Sequence, residues 1–440
     1  MIEVKEREDV FLAGFVEAEG RLPGKGHRWV RALRRSAIDH FSETGFPTTK
    51  NEEWKYTSVA PITRIDFQPP GESEAEAVPE SLRSWPPAGA DLPRLVFVNG
   101  RYSPGLSTEG RLPEGIRIQP LARALEAGDE RLSGHLARYA GYGKQAFAAL
   151  NTAYMNDGAF IVIERGAVIE TPVLLVYLTL AGGQPVATHP RNLVLAGREC
   201  QASLVEMYAG AADGVYFTNA VTEIAAEEGA IVEHYRIQEE AAEAFHIATV
   251  QFHQERSSSV LSHNVSFGGK LARYDVNSVL EGEGGECTLN GLYLAAGTQH
   301  VDNHTTLDHA RPHCASREYY KGILDGKSTG VFNGKIIVRK DAQKTDAIQS
   351  NKNLLLAHDA TINTKPQLEI WADDMRCTHG ATVGQLDDDA LFYLRARGIH
   401  QEEARDLLTY AFAADVLGRM KNGAVRERLE KELFRRLHAR

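Results

Sequence analysis

The hydrophobic rhythm divides the chain into three stretches. From Val10 to about Thr44 apolar residues recur at helical spacing, with Phe11, Phe15, Trp29, Leu33 and Ile38 set among charged positions, which predicts two or three helices. A short strand and turn follow at residues 95–102 (LVFVNGRY), and the alanine-rich span 121–150 returns to helical spacing. Residues 1–150 therefore read as a mostly helical N-terminal domain. It is interrupted at about 69–93 by a Pro/Glu-rich connector that has too few apolar residues to offset its ordering entropy by burial.

The period then changes. From Asp157 to Leu386, short runs rich in Val, Ile, Thr and Tyr alternate with small-residue clusters at 165–167, 197–198, 228–230, 257–259, 282–285, 325–326, 340–342, 359–360 and 379–381. Their spacing runs from roughly 16 to 31 residues with one gap of about 42, the range of stacked solenoid turns. A mainly β fold with a parallel β-helix core at 151–386 explains this better than a large sandwich. Helical spacing returns in Leu391, Leu394, Ala404, Leu407, Leu408, Ala411, Phe412, Val416 and Met420 and continues to Leu437, a helical C-terminal domain at 387–440.

Composition narrows the function. The 440 residues hold 43 % hydrophobic and 25 % charged side chains, as a folded globular protein does. The net charge of −10 argues against nucleic acid as the ligand, because such binding neutralises phosphates with Lys and Arg. Four dispersed cysteines without a CxxC pair, no signal-like N-terminus and no long apolar run predict a cytoplasmic protein without a membrane span. The last 25 residues are an exception to the acidic balance, with 8 Lys and Arg against 3 Glu.

Several segments carry candidate chemistry. Gly326-Lys327-Ser328 misses a phosphate loop because Lys321 stands where the first glycine is required, and neither GxSxG nor HExxH occurs. The run from His300 to Cys314 concentrates His304, His309, His313 and Cys314, ligand types that zinc or iron prefers; stacked polar ladders in solenoid turns have the same composition. Near the end of the β region, strand alternation puts Cys377 and His379 on one side, a thiol and an imidazole suited to iron or a nascent cluster. Met375, Ala381 and Val383 share that side, which also suits a buried core.

Taken together, residues 51–57 (NEEWKYT), 300–314, 330–336 (GVFNGKI), 341–346 (DAQKTD), 353–356 (NLLL), 365–370 (KPQLEI), 372–383 (ADDMRCTHGATV) and 392–398 (FYLRARG) closely resemble the SufB/SufD family of SUF iron-sulfur assembly scaffolds. The resemblance implies a right-handed parallel β-helix between helical N- and C-terminal parts. It implies a scaffold subunit rather than an enzyme, paired with a SufB-type subunit through the β-helix. A SufC-type ATPase would dock on the C-terminal helices, at Phe392, Tyr393, Arg395, Arg397, Leu407 and Phe412 and along the basic end. By the same resemblance, Cys377 and His379 match the cysteine and histidine at the interface of the two large subunits, where the nascent cluster forms with further ligands from the partner. No stably bound cofactor is expected on the isolated chain; a transient Fe-S cluster or iron, and reduced flavin, belong to the complex, and a homodimer is an expectation for the chain alone. Where SufB carries Glu-His-Glu-Ala-Thr, this chain has Cys-Thr-His-Gly-Ala-Thr, which sets it apart from that branch. The alternatives weighed are a SufB-type subunit, a stand-alone metal carrier and a polysaccharide-cleaving β-helix enzyme.

Overall fold

Val-, Ile-, Thr- and Tyr-rich runs favour a pleated, half-buried backbone, and here they form strands throughout the central region. The structure, a computed structural model, describes residues 11–71, 78, 92–108, 112–210 and 214–438. Most of the expected connector, at 72–77 and 79–91, lies outside the described residues. The first strands are short: β1 (Arg94–Val98), β2 (Arg101–Tyr102), β3 (Ile116–Pro120), β4 (Ala159–Ile163), β5 (Val173–Thr179), β6 (Val186–Thr188) and β7 (Arg191–Ala196). Strands of 8 to 11 residues follow: β8 (Gln201–Gly210), β9 (Tyr216–Ala226), β10 (Ile231–Glu239), β11 (Phe245–Gln254), β12 (Ser259–Ser266) and β13 (Leu271–Leu280). The series ends with β14 (Glu286–Ala295), β15 (His300–His309), β16 (Ala315–Leu324), β17 (Thr329–Val338), β18 (Thr345–Leu355), β19 (Thr361–Ile370) and β20 (Met375–Gly384).

These strands form two facing sheets. One runs β2-β1-β5-β8-β10-β12-β14-β16-β18-β20 and the other β19-β17-β15-β13-β11-β9-β7-β4-β3, with β6 beside β9. Pairing is parallel except for β1–β2 and β3–β4 at the start. Phe245 pairs with Leu271 and Thr329 with Thr361, so one coil takes between 26 and 32 residues. This is the β-helix that the turn spacing predicts. One side of every strand faces the lumen, which holds Val260, Cys287, Leu289, Leu307, Phe332 and Ile336.

One corner repeats along the solenoid with left-handed backbone at Glu199, Gly229, Ser257, Gly284, His313 and Lys344. The N–H of each donates to a carbonyl in the next coil's corner. Because non-glycine residues fill several of these positions, composition under-reports the turns. The gap of about 42 residues contains the corner at Arg311-Pro312-His313, whereas His379-Gly380-Ala381, expected as a turn, lies within β20.

Helices cover the outer faces. Arg28–Thr44 and Ala146–Tyr154 pack Phe41, Phe147 and Leu150 with Phe217, Phe245 and Leu271 of the sheet that ends in β19. Gln401–Leu417 and Gly423–His438 lay Ala413, Val416, Leu429 and Leu433 on Val205, Met207, Tyr235 and Leu292 of the other sheet. The C-terminal basic residues are largely paired within the chain: Arg428 holds Glu239 with two bonds of 2.5 and 2.6 Å, and Arg435 and Arg436 share Glu432. Among the described residues, nothing covers the far edges of β19 and β20, so the solenoid ends open there.

Candidate functional site

The open end places the thiol and the imidazole. Cys377 pairs in register with Ala347, and His379 with Gln349, so both side chains lie on the lumen side as strand alternation requires. No coil follows β20, so Cys377 is only half-buried and His379 is exposed. Ala381 and Val383 are exposed too, Val383 by 49 %, and the core reading of this face does not hold beyond Cys377. Burial pushes the Cys377 thiol above its ordinary range, with the nearby Asp346 carboxylate adding to the effect. A cation or metal is therefore needed to bring out its thiolate. Behind His379, one and two coils back in the same column, stand Gln349 and Glu318, which no local pattern in the sequence marks.

The other histidine run is dispersed by the fold. His300, Asp302 and His304 point outward from β15, under the segment 51–57. Thr57 donates to Asp302 at 2.5 Å, which leaves its oxygen to accept from His300 at 2.9 Å. Arg273 lies buried beneath Trp54, 3.7 Å from the ring centre, and reaches Asp302 at 2.8 Å, Asp275 at 2.9 Å and the Glu53 carbonyl at 2.6 Å. His304 sits between Asp302 (3.0 Å) and Glu53 (3.4 Å). Two motifs far apart in sequence thus form one clamp between the N-terminal domain and the solenoid. His309 points the opposite way, into the lumen, where it meets Ser316 at 2.9 Å and burial lowers its pKa to about 4. His313 is an exposed corner residue, and Cys314 is buried with its thiol 3.3 Å from the Gly282 carbonyl. The fold does not bring His304, His309, His313 and Cys314 together, and no metal-binding group of three or more His, Cys, Asp or Glu is found among the described residues.

The C-terminal candidates also divide. In the helix Asp388–Arg395, Phe392 is 73 % and Tyr393 55 % exposed; Arg395 and Leu407 are exposed as well, and the Arg397 guanidinium lies 3.7 Å over the Tyr393 ring. Phe412 instead turns toward the sheet, where Lys321 approaches its ring at 4.3 Å and its carbonyl at 2.9 Å. No described helix is long and apolar enough to cross a membrane.

Two family models together match most of the chain. A family model described as "SUF system FeS cluster assembly, SufBD core domain" matches residues 178–412, and one described as "SufBD protein N-terminal region" matches residues 5–175. The chain is 32 % identical over 410 residues to the iron-sulfur cluster assembly protein SufD of Escherichia coli, covering 91 % of each chain. It is 34 % identical over 406 residues to a SufBD family iron-sulfur cluster assembly protein of Synechocystis, covering 90 % of this chain and 89 % of that one. Identity to SufB of Bacillus subtilis is 27 % over 303 residues, which is 68 % of this chain and 64 % of that protein.

Proposed function

The chain belongs to the SufBD family of SUF iron-sulfur cluster assembly proteins, and from that premise we propose that it is a non-catalytic, SufD-type scaffold subunit of a cytoplasmic assembly complex. The observation that carries this reading is the open end of the solenoid. Two ten-residue strands, β19 and β20, present unpaired edges there, with Cys377 half-buried and His379 exposed between the lumen and solvent. An uncovered edge row of N–H and C=O groups is a template for another chain's strands. A SufB-type β-helix ending in the same way would extend both sheets and supply the ligands that two residues cannot. Iron or the nascent cluster is the cargo of that seam. When the partner is absent, a second copy of this chain meets the same edges.

The exposed Phe392, Tyr393, Arg397 and Leu407 form the surface offered to a SufC-type ATPase. At the basic end beyond Val416, Arg428 and Arg436 reach Glu239 and the Phe267 carbonyl of the chain's own β-helix, while Lys431 and Arg435 pair within the last helix and stay exposed beside that surface. The test is native mass spectrometry of the chain co-expressed anaerobically with SufB and SufC, with and without His379→Ala. A complex of all three subunits that loses iron and sulfide in the variant supports the reading. Absence of a complex overturns the scaffold role, and unchanged iron and sulfide overturns the role of His379.

A further inference from the structure

In-register parallel coils turn sequence positions about 30 apart into a column of side chains spaced about 4.8 Å. Glu318, Gln349 and His379 form one such column on the lumen side of the sheet that ends in β20, at its open end. Gln349 Nε2 donates to Glu318 Oε2 at 2.6 Å, and both residues are almost wholly buried. Among the described residues, the buried Gln349 Oε1 has no partner, nor has the Glu318 Oε1 behind it. A buried carbonyl left unpaired costs about 1–3 kcal/mol and calls for an explanation.

With Glu318 ionised the amide does not turn over, because reversal would set Oε1 against the carboxylate oxygens; only a protonated Glu318, which burial favours by raising its pKa to about 7, could donate to a reversed amide. Nor can it swing away, because the facing sheet closes on it at Gly334, where a Cβ would stand 1.9 Å from Nε2. The acceptor therefore faces along the column, and the next side chain outward is His379.

We propose that Gln349, fixed by Glu318, is the positioning residue of His379: its Oε1 accepts the proton-bearing ring nitrogen, so that the other nitrogen directs its lone pair out of the open end. Imidazoles that bind metals are commonly held by such a bond to their second nitrogen, which sets the tautomer and raises the ligand's basicity. The inference rests on the reading of His379 as a ligand, and its test separates the two.

Ring 15N spectra of the full chain, with the His379 signals assigned by their loss in His379→Gln, report the tautomer directly. One tautomer is expected to dominate about tenfold more than in a solvent-exposed histidine, equivalent to about 1.4 kcal/mol, and Gln349→Met, which keeps the volume without the amide acceptor, should bring the ratio back to that of a solvent-exposed histidine. Glu318→Gln keeps an acceptor for Nε2 and should preserve the bias, while Glu318→Leu should lose it; this pair decides the matter if Gln349→Met fails to fold. A bias unchanged in both Gln349→Met and Glu318→Leu overturns the proposal. In the co-expressed complex, Gln349→Met should lose most of the iron and sulfide while the subunits stay together. If His379→Ala leaves iron and sulfide unchanged, the ligand reading fails, and the ring spectra still decide the positioning.

Discussion

Replacing Arg273 by Met removes the arginine held between Asp275, Asp302 and Trp54 and leaves the Asp302 carboxylate, about 1 % exposed, without its guanidinium partner. Breaking a buried pair by deleting one partner typically costs about 3–5 kcal/mol. Thr57 and His304 still reach Asp302, which favours the lower end, while a desolvated guanidinium stacked on an indole adds up to about 2 kcal/mol to the loss. We therefore expect about 3 kcal/mol or somewhat more, concentrated in the attachment of residues 51–63 to the solenoid. Hydrogen exchange of that segment is the suitable assay, because the amides of Trp54, Thr57, Ile62 and Thr63 are bonded to backbone carbonyls and open when the clamp releases. At about 1.4 kcal/mol per factor of ten, their exchange should accelerate at least about a hundredfold. Arg317→Met is the control: its partner Asp346 lies 2.6 Å away, but both side chains are nearly half exposed, so under about 1 kcal/mol should be lost. An acceleration below about tenfold at residues 51–63, or one no larger than in the control, refutes the clamp.

The same clamp should loosen with alkali. Burial pulls the His304 pKa down, but the Asp302 and Glu53 carboxylates outweigh it and the net direction is upward, while His304 and Lys335 hold Glu53 at about 2. Stabilisation by the charged imidazole is then complete below the ordinary histidine value and disappears as pH rises through the raised one. Exchange at 51–63, corrected for its intrinsic pH dependence, should quicken as pH rises above the ordinary histidine value of about 6.5, and a profile identical to that of His304→Gln would count against it. Gly334→Ala forces a methyl into the Gln349 amide and should cost about 1–3 kcal/mol of stability; an unchanged melting temperature would show that the lumen is not closed there. Arg397→Glu should weaken binding of the ATPase subunit in titration without lowering the melting temperature, and unchanged affinity would remove Arg397 from that surface.

Much of the architecture was legible because it depends on local chemistry. Strand propensity between small-residue turns marks most of the coils, and helical spacing marks the two flanking parts, down to the apolar stripe of Val425, Leu429, Leu433 and Leu437 on the last helix. Alternation alone was enough to put Cys377 and His379 on one face. Local pattern failed where a neighbouring coil supplies the constraint. His313 adopts left-handed backbone because its N–H bonds the next coil's corner at Gln343, so a turn forms without glycine. The glycine-containing 379–381 run stays extended because β18 pairs with it.

What the sequence by itself determined is therefore the coil, its two helical flanks and the shared side of the thiol and imidazole. The tertiary structure decided which candidates act together. Stacking in register brings Glu318, Gln349 and His379 into contact range across about 30 residues per step, and it joins segment 51–57 to His300, Asp302 and His304 from nearly 250 positions away. It also separates His304 from His309, five positions apart, by turning one outward and the other into the lumen. Only the fold shows that no coil follows β20, so a face composed like a core is left exposed at the open end. The physical reason is that side-chain direction has a period of two along a strand, whereas proximity in a solenoid follows the length of the coil, which no local pattern records.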